Sequence, residues 1–93
     1  MQWSDIRLTY PNQWLIIEAL SASTSPENRR LLDNIAVIEQ CTDGNNALEN
    51  YRRLHKQYPA REFYYVHTSR SDLDIREQNW SGIRRGNAFI AHR

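Results

Sequence analysis

The chain contains one cysteine, three prolines, three glycines and no long apolar run. Each shortage excludes something. Cys41 on its own cannot close an internal disulfide, and this usage fits a reducing compartment. Structural zinc needs clustered Cys and His, which one Cys and three scattered His cannot supply. The longest strictly apolar run, Trp14 to Ile17, falls far short of the ~20 residues that span a bilayer. The opening MQWSDIRLTY lacks the basic and apolar regions of a secretory leader, so the expected location is cytoplasmic, away from the membrane. Twelve Lys and Arg against eleven Asp and Glu leave a formal charge of +1. No overall field therefore favours nucleic acid or an anionic membrane, and any such binding must be local.

What is present suits a small globular domain. Hydrophobic residues make up 40% and charged residues 25%, too apolar for a disordered chain. With 93 residues there is room for one domain, roughly one layer of helix on one sheet. Domains of this size bury about 60–70% of the surface their unfolded chain exposes, so self-association that shelters a remaining apolar face would help.

Ser4 as N-cap, Asp5 in the first turn, and Trp3, Ile6 and Tyr10 at helical spacing predict a short N-terminal helix ended by Pro11. Gln13 to Leu20, aromatic and β-branched with Glu18 as its only charge, reads as a central strand. The polar stretch from Ser21 to Arg30 reads as a mobile loop, too long for a tight turn. A second strand follows from Leu31 to Cys41. Thr42 or Asp43 caps a helix with apolar positions Ala47, Leu48, Tyr51, Leu54 and Tyr58, which Pro59 stops. Arg61 to Thr68 is a third strand, with Phe63, Tyr65 and His67 on one face and Tyr64, Val66 and Thr68 on the other. Beyond it, Leu73, Ile75, Trp80 and Ile83 keep no sustained period, and residues 71–93 read as an irregular tail.

Two antiparallel strands and a helical crossover place strand three on the far side of strand one. The expected fold is therefore α+β, a mainly antiparallel three-stranded sheet in the order 2-1-3, with one long helix on one face and a short N-terminal helix. Strand one is apolar on both sides, Leu15, Ile17 and Ala19 facing one way and Trp14, Ile16 and Leu20 the other. The second face must be covered by the N-terminal helix, by the Trp80 to Ile83 tail, or by another chain.

The segments IRLTYPNQWLIIEAL, IAVIEQC and REFYYVHTSR, with LDI and WSGIR in the tail, resemble a family of short uncharacterised bacterial ββαβ-type proteins, often encoded beside retropepsin-like aspartic proteases. The resemblance implies a protein partner more than a reaction. The stretch from Ser21 to Arg30 departs from the shortest members, whose two strands meet in a tight turn.

Reactive constellations are weak. His67 and Ser69, two apart on a strand, can touch, but no Gly-x-Ser-x-Gly elbow or other strained turn accompanies them. They read as a hydrogen-bonded strand pair, with no catalytic residues expected. Asp72, Asp74 and Glu77 match no metal-binding loop and read as a solvated turn balancing Arg70 and Arg76, so no metal or cofactor is expected. Cys41 reads as a small buried hydrophobe, although the nearby helix start would lower its pKa if it faced the thiol. Gly82 and Gly86 lack phosphate-cradling spacing. Arg29, Arg30, Arg52 and Arg53 read as solvated, with a Glu49–Arg53 pair along the helix.

Two binding readings remain. The first is a non-catalytic protein-interaction module that uses a sheet face or edge for a homodimer or partner protein, with Trp14, Ile16, Tyr64 and Trp80 as apolar anchors. The second is RNA or DNA binding, with Tyr65 and other strand aromatics stacking on bases and Arg61, Arg70, Arg84 and Arg85 tracking phosphates. No small-molecule substrate is identifiable from either.

Overall fold

The computed structural model describes residues 1–77 and 89–91. Its elements are α1 (Trp3–Thr9), β1 (Trp14–Thr24), β2 (Arg30–Cys41), α2 (Gly44–Gln57), β3 (Phe63–His67), β4 (Ile75–Glu77) and β5 (Phe89–Ala91). An antiparallel sheet in the order β2-β1-β3 carries the fold, as the alternation of the strands requires. A second, two-stranded sheet joins β4 to β5, so part of the tail expected to be irregular is regular. No helix among the described residues is long and apolar enough to cross a membrane.

β1 runs between the other strands and is buried on both sides. Leu15, Ile16 and Ile17 are all 0% exposed. Ile16 belongs to a core with Cys41, Ala47, Leu54 and Phe63 under α2. Leu15 and Ile17 belong to a second core with Ile6, Ile35, Tyr64, Val66 and Ile75. This second face is roofed by the chain itself. Ile6 of α1, flanked by Trp3 and Tyr10, covers one part, and Leu73 and Ile75 cover another. Of the three coverings the sequence allowed, the N-terminal helix is thus realised; Trp80 and Ile83 lie outside the described residues.

α1 starts two residues earlier than Ser4 would cap it, with Gln2 as N-cap. The reason is an anchor on the sheet. Gln2 Nε2 donates to the Asp33 carbonyl at 2.7 Å, and the Met1 and Ile35 main chains exchange two hydrogen bonds of 2.9 Å. These bonds lie on the outer edge of β2 and fix where the helix begins.

The stretch from Ser21 to Arg30 is not a loop. β1 continues to Thr24 and β2 starts at Arg30, with Thr24 opposite Arg30, leaving a turn over Ser25 to Arg29. Register shifts next to Ile17 and around Ser21 interrupt the ladder, as bulges do, and increase its bend and twist. Leu20 sits at one shift and is 56% exposed, so it joins neither core. The bent hairpin brings Arg30 back to the start of β3, where its Nε and Nη2 form a two-point pair with Glu62 at 2.9 and 2.8 Å. Arg30 is therefore not a solvated residue. Arg29 pairs with Asp72 at 3.0 Å, and its backbone bridges to Arg76.

Ile6 is the only buried residue of α1, so the roof over the second core depends on it. Ile6→Ala is expected to lower unfolding free energy by about 2–4 kcal/mol in a urea titration. A loss below about 1 kcal/mol would show that α1 does not seal that face.

Candidate interaction surface

α2 begins where three side chains meet. Asp43, one of the two caps the sequence offers, is its N-cap, accepting from the Asn46 amide at 2.8 Å. Asn46 Oδ1 accepts in turn from the Thr42 amide at 3.1 Å. Gly44 follows, and a Cβ there would stand 3.2 Å from the Trp14 ring. Glycine thus lets the helix start pack against the face of this tryptophan. Trp14 also meets His67, its cross-strand partner, with the ring planes near perpendicular at 5.1 Å between centroids. Tyr65, on the same sheet face, is braced by Tyr51 of α2 at 5.4 Å.

Together Trp14, Asp43, Gly44, Asn45, Leu48 and Tyr65 line a shallow groove of about 490 Å³. Trp14 and Tyr65 are half-buried, so ring surface remains accessible. Asp43 is exposed and is the groove's only charged lining residue among the described residues.

The outer edge of β3 runs beside this groove. The Ala19 amide donates to the Glu62 carbonyl and the Thr68 amide to the Gln13 carbonyl, at 2.9 and 3.0 Å. By antiparallel alternation, Tyr64 and Val66 also exchange bonds with β1, while Phe63, Tyr65 and His67 turn their main-chain groups outward. β3 is an end strand of its sheet. At Tyr65 the outward groups are unpaired among the described residues. The opposite edge differs: Ile35 of β2 is occupied by Met1.

The anchors expected for an interface fall elsewhere. Ile16 and Tyr64 are 0% and 4% exposed and belong to the two cores, so neither is available to a partner in this fold. The sheet face that was to dock another chain is already roofed. Trp14 alone of the described anchors keeps accessible surface; Trp80 lies outside the described residues.

The described members of the cationic stripe, Arg61 and Arg70, stand at opposite ends of β3. Arg61 holds Glu18 in a two-point pair at 2.9 and 2.6 Å and lies over the Tyr58 and Phe63 rings. This hydrogen bonding keeps the Glu18 carboxyl below its ordinary range. Arg70 follows the far end of β3, with Nη1 buried and without a hydrogen-bond partner. Arg84 and Arg85 lie outside the described residues. Arg53 bonds Glu39 at 3.1 Å across to β2, in place of the expected helical pair with Glu49.

His67 and Ser69 do touch. The Ser69 amide donates to His67 Nδ1 at 3.1 Å, and Ser69 Oγ lies 2.8 Å from the same atom. Because a backbone amide can only donate, Nδ1 accepts and the ring proton of the neutral form sits on Nε2. The contact closes the turn after β3, where the Arg70 amide reaches the His67 carbonyl at 3.2 Å. The acidic turn is divided between two ion pairs, Arg29–Asp72 and Arg76–Asp74. No metal-holding group of His, Cys, Asp or Glu occurs among the described residues. Cys41 is buried, and that burial pushes its thiol pKa up.

One cluster was missed from the sequence. Glu62 accepts from both Arg30 and the buried Tyr64 hydroxyl. Burial alone would raise the Glu62 pKa, but the Arg30 and Tyr64 hydrogen bonds outweigh it and hold the carboxyl below its usual 4.5. Burial and the Glu62 hydrogen bond push the Tyr64 phenol strongly upward. Nothing in local sequence spacing joins residues 30 and 62; only the bent hairpin does.

No family model, curated protein or solved structure matches the chain.

A depressed carboxylate pKa means the folded chain binds fewer protons than the unfolded chain between the two values. The Glu62 contribution is therefore complete above the unfolded value near 4.5 and is lost as pH falls through the folded value. Glu62→Gln should cost about 1.5–3 kcal/mol at pH 7 and flatten the acid limb of a stability profile. Equal losses at pH 7 and pH 2 would show that the charge of Glu62 is not what matters.

Proposed function

We propose that this chain is a non-catalytic protein-interaction module that accepts an extended segment of another polypeptide along the outer edge of β3. The observation that carries this reading is the asymmetry of the sheet's two edges. β2 has its outward groups at Ile35 engaged by Met1, whereas β3 presents those of Tyr65 unpaired among the described residues. Main-chain pairing along such an edge supplies affinity, and neighbouring side-chain pockets supply selectivity. The groove between Trp14 and Leu48 continues inward from that edge through the Tyr65 ring. The resemblance to small proteins encoded beside aspartic proteases points the same way, toward a protein partner.

Nucleic-acid binding has less support. Arg61 is committed to Glu18, and the charged residue lining the aromatic groove is acidic, which repels phosphate. For catalysis, the His67–Ser69 contact is explained as a turn, with no third group hydrogen-bonded to it among the described residues.

Selection of random extended heptapeptides displayed on phage tests the reading. Enriched peptides should bind the native chain, bind Tyr65→Thr more weakly because it keeps the outward amide but loses the ring, and not bind Tyr65→Pro, which removes that amide without breaking a β1 bond. N-methylating alternate amides of a synthetic peptide should abolish binding as well. A selection that enriches nothing, or binders indifferent to both changes, refutes the proposal.

A further inference from the structure

The groove beside β3 has a chemistry of its own. Two half-buried rings form its walls, and both are held in place: Trp14 by contacts with His67 and the Gly44 backbone, Tyr65 against Tyr51. Walls braced in this way need no reordering when a ligand enters. At the rim stands the Asp43 carboxylate. One of its oxygens accepts from the Asn46 amide, and the other has no hydrogen bond among the described residues. The start of α2 carries roughly half a positive charge, less than the full negative charge of Asp43. The balance at the rim is negative.

We infer that this groove receives an arginine side chain projected from the segment paired on β3, clamped between the Trp14 and Tyr65 rings and the Asp43 carboxylate. The inference rests on the edge reading above and names the partner residue it selects. Charge points to a cation, since the one charged lining residue among the described residues is acidic. The rings point to a flat cation, because a guanidinium stacks on aromatic faces while also pairing with a carboxylate. Distance points to a long side chain. Strands lie about 4.8 Å apart, so a strand beyond β3 runs roughly 10 Å from β1, and only the longest side chains bridge that gap to Trp14. A phosphate or an acidic peptide fails the first criterion, and a small apolar side chain fails the last.

The test uses capped heptapeptides of sequence Thr-Val-Thr-X-Thr-Val-Thr, with X as arginine, norleucine or glutamate, fluorophore-labelled and titrated against the full chain at low salt. The arginine peptide should bind about tenfold more tightly than the norleucine peptide, and the glutamate peptide most weakly. Asp43→Asn keeps an equally good helix cap, so its thermal melt should match the native chain while the arginine preference collapses toward onefold. If all three peptides bind alike and N-methylation abolishes each, the groove inference falls and the edge reading stands. Failure of all three to bind overturns both. An arginine preference that survives in Asp43→Asn overturns the assignment of the carboxylate.

Discussion

Everything in this fold follows from the burial of β1 on both faces. Leu15, Ile16 and Ile17 are consecutive and wholly inaccessible, so their side chains enter two different cores. A strand of this kind needs cover above and below, and a short chain has one long helix to give. α2 serves the Ile16 side. The Leu15 and Ile17 side is closed by small pieces: one buried residue from α1, Leu73 and Ile75 from the segment after β3, and the bent hairpin. The N-terminus is tied to β2 because α1 is too short to hold its position through packing alone.

The same demand explains the buried charge cluster. The far half of the β1–β2 hairpin carries Ser21, Ser23 and Thr24 and buries little. What draws it back over the second core is the two-point Arg30–Glu62 pair, with Tyr64 as third member. A pair shielded to this degree is costly to break from one side, since the surviving charge keeps its desolvation penalty. The cluster contributes shape: it joins the hairpin base to the start of β3 and so fixes the curvature of the sheet.

How much of this was legible in the sequence depended on periodicity. The sheet order, the faces of β1 and β3, the Asp43 cap and the extent of α2 all follow from apolar spacing and capping chemistry. Ser21 to Thr24 did not read as strand because a solvent-facing ribbon has no apolar alternation; it is extended because the backbone of Arg30 to Asn34 pairs with it. Ile16 reads equally well as a core or a docking residue until the cover over its face is known. The groove was visible only in parts. Trp14 and Tyr65 entered separate readings, and Leu48 was one apolar helix position among several. Their convergence depends on where α2 begins, to within one residue.

The two edges of the sheet pose opposite problems. A long strand with unpaired outward groups invites association with any other strand, and β2, the longer of the two, is defended by a register shift, by Glu39 and by the Met1 main chain. β3 is short, with five residues. A ladder of that length buries well under the ~1,000 Å² expected of a specific interface, so backbone pairing cannot by itself make β3 a selective site. Whatever binds there with selectivity must gain the remainder from side chains, and the accessible aromatic surface contiguous with Tyr65 is the groove that leads to Trp14. Edge and groove are therefore parts of one surface, the first too short to discriminate and the second too shallow to hold a partner alone.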